Sequence, residues 1–445
     1  MSEPIERLVD LTDPGLNRLY NMPVEAARAV VDRGDPSEIR RIDGSFALVA
    51  RSGKRVRMAR SIDRPLRYFI AKRHTPAARV SGPCLVVADR ISTIHDFLRS
   101  VELDDQFQPS YTRMVPAHYL LEIQLLGCPD LNPSYTRFFT PRRDALPTDL
   151  DEIGGRYIGA LAEEIGKWLR RVQGTEPIGV AFSGGVDSGA VFLVTYHVMR
   201  RLGMNPGRLK AFTLSLGDGP DLRQARAFLE PLGLSLFLEP IEADPASVDL
   251  GEVIRVIEDY KPLDVQCAAM ALALLRGIRE RYPEWRYLID GDGGDENLKD
   301  YPIEENKELT VRSVLNNLML YQEGWGVDSI KHSLTYSGGQ SRSYTRTYAP
   351  ARLLGFDGFS PFTVPNVIEV AEGIPFIALT QYDVPRLYAL KGEIVSRGVR
   401  AVTGWEMPVF EKRRFQHGAL GSDAFHRHFA QPDAHYRRLF QSLWA

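Results

Sequence analysis

Hydrophobic positions follow two different patterns along this chain, and the change between them falls near residue 150. Before it, short apolar runs such as 46–50 and 84–88 alternate with glycine, proline and charged clusters, which predicts a β-rich unit. The polar, proline-containing segment 140–152 predicts a linker. From Ile153 to Leu169 apolar residues recur at helical spacing, so a helix opens the second unit. We therefore predict one domain over residues 1–145 and another over 150–445.

The second domain alternates short apolar runs with helical segments. The pattern predicts strands at 177–182, 209–216, 234–241 and 287–290. It predicts helices at 190–202, from 221 onwards, at 250–260 and at 268–282. This alternation indicates an α/β fold with a doubly wound, mostly parallel sheet. Ligands of such sheets bind at the carboxyl ends of the strands, where the glycine-rich turns of this sequence fall.

Composition narrows the class of protein. The 445 residues are 44% hydrophobic and 25% charged, which excludes collagen-like, low-complexity and disordered chains. Lys and Arg (55) nearly balance Asp and Glu (57), so charge gives no general basis for binding nucleic acid or an anionic membrane. The 3 cysteines stand far apart, which disfavours a zinc site or a disulfide framework. Because no signal-peptide core or membrane-length apolar run is found, we expect a cytoplasmic protein.

The strongest chemical signal is Ser183–Ser188 (SGGVDS), which stands between a predicted strand and a predicted helix. Its two glycines let the backbone approach an oxyanion, and the helix that follows offers unpaired N–H groups. Ser183 and Ser188 can donate to phosphate oxygens, and Asp187 can hold the Mg2+ that accompanies a nucleoside triphosphate. No lysine follows the glycines, so this is not a Walker P-loop.

SGGVDS resembles the phosphate-binding motif of the ATP pyrophosphatase (PP-loop) superfamily, which splits ATP into AMP and pyrophosphate while adenylating a substrate. The resemblance implies an adenine nucleotide alpha hydrolase-like fold, with ATP and Mg2+ as cofactors. By itself the motif leaves asparagine, thiolation, NAD and GMP synthetases open. The expected ATP-binding residues are Ser183, Gly184, Gly185, Val186, Asp187, Ser188, Leu214, Leu216, Gly291 and Gly293.

A second glycine-rich loop, 290–296 (DGDGGDE), follows the last predicted strand and carries four carboxylates. Such a loop suits a second magnesium ion on pyrophosphate or a cationic group of a substrate. Together with SGGVDS it resembles the SGEGADE-type loop of asparagine synthetases. The resemblance implies that Asp295 is a metal ligand beside Asp187 and that Asp292 takes the place of a catalytic Glu. The residues expected to contact the substrate are Asp290, Glu296, Tyr344, Arg346 and Tyr348.

The same resemblance continues towards the C-terminus. Residues 359–363 (FSPFT) stand where the family has its R-x-PFLD segment, and 408–415 (PVFEKRRF) resembles its R-x-K-x-G-F element. That correspondence implies a catalytic role for Lys412, whose charge would stabilise the transition state that releases pyrophosphate.

The N-terminal domain resembles part of the glutaminase domain of the same synthetases. Residues 41–48 (RIDGSFAL) and 60–68 (RSIDRPLRY) are similar to two of its strand segments. The residues before 41 contain no cysteine to act as the N-terminal nucleophile, and position 2 is Ser2. We therefore expect a degenerate, Ntn-hydrolase-like remnant that does not hydrolyse glutamine.

Taken together, these motifs predict an ATP-dependent, AMP-forming ligase that joins a small-molecule or peptide carboxylate to ammonia or a substrate amine. In its degenerate glutaminase domain it is similar to β-lactam synthetases and lasso-peptide cyclases. We expect neither a nucleic-acid nor a membrane partner, and a homodimer is left open. Two alternatives remain, a PP-loop sulfur transferase and a nucleotide-binding pseudoenzyme. Balanced charge and isolated cysteines weigh against the first, and Asp187, Asp295 and Lys412 weigh against the second.

Overall fold

A computed structural model describes residues 5, 7–72, 83–125, 133–172, 174–215, 219–244, 247–301, 303, 310–316, 344–410 and 429–444. The chain divides into two units, the first containing Met1–Thr140 and the second beginning at Pro141. Within the described residues, no helix is both long enough and apolar enough to cross a membrane.

The first unit is built mainly from short strands. They are β1 (Arg7–Asp10), β2 (Arg18–Leu19), β3 (Gly44–Ser45), β4 (Ala47–Ser52), β5 (Arg55–Arg60), β6 (Arg67–Ala71), β7 (Cys84–Ala88), β8 (Arg113–Met114), β9 (Tyr119–Gln124) and β10 (Ser134–Arg137). The helices are α1 (Val24–Arg33), α2 (Pro36–Ile39) and α3 (Ile91–Ser100).

Two four-stranded sheets carry the core of this unit. One has the order β1-β7-β6-β8 and the other β10-β9-β5-β4. Apolar side chains from both sheets, among them Met58, Leu85 and Leu121, form one cluster. The alternation of apolar runs and breakers therefore predicted the β-rich character of the unit correctly.

The second unit alternates helices and strands. The elements before the acidic loop are α4 (Leu150–Leu169), β11 (Ile178–Ala181), α5 (Val186–Arg201), β12 (Leu209–Ser215), α6 (Pro220–Leu229), β13 (Leu238–Glu242), α7 (Leu250–Ile257), α8 (Pro262–Arg281) and β14 (Tyr287–Ile289). Those that follow are α9 (Gly294–Leu298), α10 (Val311–Asn316), α11 (Ala349–Leu353), β15 (Asp357–Phe359), α12 (Pro365–Glu372), α13 (Phe376–Thr380), α14 (Val384–Thr403) and α15 (Asp433–Ser442).

A five-stranded sheet with the order β13-β12-β11-β14-β15 forms the centre of the second unit, and all its strand pairs are parallel. From β11 the chain runs outwards to β12 and β13, then crosses back to β14 on the other side of β11. Because crossovers between parallel strands are almost always right-handed, this change of direction places the connecting helices on opposite faces of the sheet. The predicted doubly wound α/β fold is therefore confirmed. The strand order reverses at β11, so its carboxyl end lies at the crevice where ligands of such sheets bind.

One predicted strand was placed too early. The run 234–241 was expected to be a strand, but residues 235–237 form a 3-10 turn and the strand begins at Leu238. Leu236 in that turn is 69% exposed, although it is an apolar residue in a mostly apolar run. The hydrophobic pattern could not separate the 3-10 turn from the strand, because the mostly apolar run continues through the turn into the strand.

The long helices α4 and α14 pack closely against each other through small residues. A Cβ atom on Gly154 would lie 2.6 Å from the Ile394 carbonyl oxygen and 2.7 Å from the Gly398 nitrogen. Asp149 caps α4 by accepting from the Asp151 and Glu152 N–H groups. This close approach fixes α14 near the centre of the unit, where its lysine enters the site described next.

Candidate active site

The SGGVDS turn joins the carboxyl end of β11 to the first turn of α5. Gly184 has φ +72°, and a Cβ atom on it would lie 2.9 Å from backbone atoms of Gln224 and Ala225. The Ser188 hydroxyl accepts from the Ser183 N–H at 3.2 Å, which closes the turn on itself. No side chain caps the first turn of α5. The turn therefore has the uncapped helix N-terminus that suits a phosphate.

The acidic loop 290–296 lies directly against this turn. A Cβ atom on Gly291 would be 2.8 Å from the Ser188 nitrogen. A Cβ atom on Gly294 would collide with Oδ1 of Asp187. On the other side, Asn297 donates to the Phe362 carbonyl oxygen at 2.9 Å, so the 359–363 segment packs on the loop. The structure thus brings together the two loops that the sequence singled out separately.

Lys391 of α14 joins the two loops electrostatically. Its Nζ donates to Asp187 Oδ2 at 2.6 Å and to Asp295 Oδ1, and it lies 3.3 Å from Asp300 Oδ2. The lysine side chain is only 5% exposed. Burial opposes its charge, but the three carboxylates outweigh it and raise the pKa of Lys391 well above its ordinary value. The site therefore contains a permanently charged ammonium between its two predicted metal ligands.

Lys391 was missed by the sequence analysis. It lies on the buried face of an amphipathic helix, with Leu387, Leu390, Ile394 and Val395 around it at helical spacing, and all four are buried. A lysine in such an apolar stripe is a signal that could have been noticed, because lysine is rarely buried without a partner.

Asp187 and Asp295 have the donor chemistry that Mg2+ requires. Their side chains are 19% and 34% exposed, so both can be reached from solvent. Among the described residues, no three or more His, Cys, Asp or Glu side chains are grouped as a complete metal site. Mg2+ in nucleotide sites is usually held by one or two carboxylates and completed by substrate phosphates. The two residues fit that arrangement, with Lys391 as a fixed neighbouring charge.

Asp290 and Asp292 form a pair of interacting carboxyl groups. Asp290 accepts from the Ser360 hydroxyl at 2.9 Å and from the Asp292 N–H at 3.0 Å, and Asp292 accepts from the Thr347 hydroxyl at 2.6 Å. Burial, together with the charge of Asp292, raises the pKa of Asp290 well above its ordinary value. Burial raises the pKa of Asp292 to about 6, although the Thr347 hydrogen bond and Arg346 oppose this.

Arg346 is held among acidic groups near this pair. Its Nε lies 3.5 Å from Asp264 Oδ1. Burial opposes its charge, but interactions with Cys267, Asp264, Glu296 and Asp292 raise the pKa of Arg346 above its ordinary value. Lys261 lies 3.6 Å from Asp264, but the acidic side chains Asp264, Asp290, Asp292 and Glu296 still outnumber these two cations, so the surroundings favour a cationic ligand over an anionic one.

The structure thus assembles many of the predicted site residues. The SGGVDS turn and the 290–296 loop are in contact, and Glu296 interacts with Arg346. Leu214 is buried in β12. Tyr348 lines a small cavity next to Asp290. For Tyr344 the structure describes the backbone, which is helical. Leu216 and Lys412 lie outside the described residues, so their roles stay predictions.

Comparisons with known proteins show what this region is similar to. Residues 166–351 match the family model for asparagine synthase. The chain is 26% identical over 136 residues to asparagine synthetase [glutamine-hydrolyzing] 1 of Lotus japonicus, covering 30% of this chain and 23% of that protein. It is 26% identical over 160 residues to asparagine synthetase [glutamine-hydrolyzing] of Rattus norvegicus, covering 34% of this chain and 28% of that protein. The chain thus spans about a quarter of the length of the curated relatives it matches.

Solved structures with some likeness to the chain include two NAD synthetases. The NH3-dependent NAD synthetase of Campylobacter jejuni is 15% identical with a TM-score of 0.25, over 60% of this chain and 100% of that one. The NAD+ synthetase of Burkholderia pseudomallei is 19% identical with a TM-score of 0.25, over 55% of this chain and 90% of that one. The match to the asparagine synthase family model covers both glycine-rich loops and agrees with the resemblance seen in their sequences.

Proposed function

We propose that this protein is an ATP-dependent, AMP-forming ligase that adenylates a carboxylate and transfers the acyl group to an amine or to ammonia. The observation that carries the proposal is the contact of the SGGVDS turn with the 290–296 loop, joined by Lys391 between Asp187 and Asp295. This contact lies at the reversal of strand order, where a ligand is expected. The asparagine synthase domain supports the choice of ligase chemistry.

In the first step a carboxylate oxygen of the substrate attacks the α-phosphorus of ATP. The bond from that phosphorus to the bridging oxygen breaks, and pyrophosphate leaves with the bonding electrons. The N-terminus of α5, Lys391 and the predicted Lys412 supply positive charge where negative charge develops. Mg2+ held by Asp187, Asp295 and the phosphates would neutralise charge on the leaving group.

In the second step the nitrogen of the amine attacks the carbonyl carbon of the acyl-adenylate. The bond from that carbon to the AMP oxygen breaks, AMP leaves, and the nitrogen gives up a proton as the amide forms. Asp292 is the carboxylate that we assign to accept this proton. With a pKa of about 6 it is mostly ionised at neutral pH, yet it is basic enough to hold a proton during the reaction.

We expect turnover to yield AMP and pyrophosphate in equal amounts, because the SGGVDS turn lacks the lysine of a Walker P-loop. The experiment is 31P NMR of the purified protein with ATP, Mg2+ and a panel of carboxylic acids and amines, followed by mass spectrometry of the amide. ADP and inorganic phosphate as products would contradict the proposal.

The pH dependence should separate the two steps. Because Asp292 must be ionised to accept a proton, amide formation should fall as the pH drops through about 6 and level off above it. Asp292→Asn should slow amide formation by about 10²–10⁴, which is the usual contribution of a positioned base. Isotope exchange between pyrophosphate and ATP, which reports adenylation alone, should persist in that variant.

Asp292→Glu is the matched control, since it keeps a carboxylate at this position. It should restore a large part of the amide-forming rate that Asp292→Asn loses. If Asp292→Asn formed amide at the normal rate with an unchanged acid limb, Asp292 would not be the proton acceptor.

A further inference from the structure

A small apolar cavity of about 30 Å³ is lined in part by Asp290, which is buried. It lies between α8 and the central sheet. Its walls are formed mainly by aliphatic and small residues, among them Ala271, Leu274, Ile278, Leu288 and Gly358. Thr347 and Tyr348 lie at the side that carries Asp290. The cavity thus combines an apolar interior with a single charged lining residue.

Asp290 is well placed to bind a cation. It is 5% exposed, and its two oxygens accept from the Ser360 hydroxyl and the Asp292 N–H. No lysine, arginine or histidine within the described residues forms an ion pair with it. Burial disfavours the ionised form of Asp290, and a cation that reaches the carboxyl group favours that form, so cation binding and ionisation of Asp290 are coupled.

The charges around the cavity select against an anionic occupant. Asp292 interacts with Asp290, and Glu296 and Asp264 lie near Arg346, while Lys261 lies 3.6 Å from Asp264. The carboxylate of an acyl substrate would be repelled by this group. An ammonium ion would be attracted to it, and an attached alkyl chain would find the apolar walls.

We propose that the cavity and Asp290 form the binding site of the nitrogen donor, and that this donor is a primary alkylamine with a short chain. Its ammonium group binds Asp290 and gives that carboxylate one proton before the nitrogen attacks, and the second proton goes to Asp292 as the amide forms. About two or three carbon atoms enter the cavity, because a volume of about 30 Å³ holds two or three water-sized groups. The assignment rests on the proposed function, since it names the class of amine that the ligase uses.

Saturation-transfer NMR can test the site without turnover. The probes are methylammonium, ethylammonium, n-propylammonium and n-pentylammonium, with propionate and n-propanol as the anionic and neutral comparisons. Each added methylene that the cavity buries should tighten binding about fourfold, up to n-propylammonium. n-Pentylammonium should bind more weakly because its chain exceeds the cavity. Equal binding of propionate, or no dependence on chain length, would overturn the proposal.

Two substitutions probe the two halves of the site. Asp290→Asn should abolish the preference for n-propylammonium over n-propanol. Gly358→Ala should shift the best chain length down by one carbon. The new Cβ would lie 3.6 Å from Tyr348 and 3.7 Å from Ala351, which is ordinary contact, so this variant should fold.

The matched control is Gly159→Ala on α4, where a Cβ atom meets nothing within 4 Å. It should bind all the probes as the unmodified protein does. If Gly358→Ala kept the same chain-length profile as Gly159→Ala, the cavity would not be the binding site.

The two proposals can fail separately. If ATP is cleaved to AMP and pyrophosphate but ammonia alone is accepted and no alkylammonium binds, this inference is wrong and the ligase assignment stands. If n-propylammonium binds with the expected profile but AMP never forms with any acid, the binding site stands and the ligase assignment is wrong.

Discussion

Replacing Lys391 by methionine is expected to slow ATP cleavage strongly and to destabilise the second unit. The substitution leaves Asp187, Asp295 and Asp300 facing one another with no ammonium between them. Breaking a buried ion pair by removing one partner usually costs about 3–5 kcal/mol. Two of these carboxylates are partly exposed, so we expect a value near the lower limit. Loss of a positive charge at the leaving group should also reduce the rate of adenylation by about 10²–10³. Chemical denaturation and pyrophosphate–ATP exchange measure the two effects.

Lys299→Met is a control matched in residue type and burial. Lys299 is 1% exposed and lies 3.3 Å from Glu372, so its removal also leaves a buried carboxylate without its cation. We expect a comparable loss of stability, with a normal exchange rate for the protein that remains folded. If Lys391→Met and Lys299→Met lost stability equally and both kept normal exchange, Lys391 would be a structural residue only.

The parts of the site that could be predicted from sequence are those in which residues close in sequence do the chemistry. SGGVDS and DGDGGDE each follow an apolar strand, and parallel strands end at the same edge of a sheet. The spacing of strands and helices also predicted the α/β architecture. What periodicity could not provide was strand order. Asp357–Phe359 is the fifth strand of the sheet, but this short segment has too few residues for an alternating pattern.

Contacts between distant segments were beyond the reach of local patterns. Lys391 meets Asp187 across 204 residues and Asp295 across 96, through the packing of α14 on α4 at Gly154 and Gly398. The cavity beside Asp290 likewise depends on where α8 crosses the sheet. The sequence analysis assigned the catalytic positive charge to Lys412, which lies outside the described residues, and that assignment remains a prediction.

Neutralising the three carboxylates around Lys391 one at a time should separate catalysis from stability. Asp187→Asn and Asp295→Asn should each slow adenylation by about 10²–10³, because each removes a charge-assisted contact at the developing pyrophosphate. Each should also raise the Mg2+ concentration needed for half-maximal exchange. The cost in stability should be modest, since these side chains are 19% and 34% exposed.

Asp300→Asn should instead lower stability and leave the Mg2+ dependence of the exchange reaction unchanged. Its carboxylate is 8% exposed and lies 3.3 Å from Lys391 Nζ, but it belongs to neither of the expected phosphate-binding loops. Losing a buried contact with a charged group should cost about 1.5–3 kcal/mol of unfolding free energy. The Mg2+ dependence should stay unchanged, because Asp187 and Asp295, the two predicted metal ligands, are left intact. Mg2+ titrations and denaturation curves of the three variants show which carboxylates bind the metal and which one stabilises the fold. If Asp300→Asn shifted the Mg2+ requirement as far as Asp187→Asn did, all three carboxylates would act through Lys391 alone, and the metal assignment would be wrong.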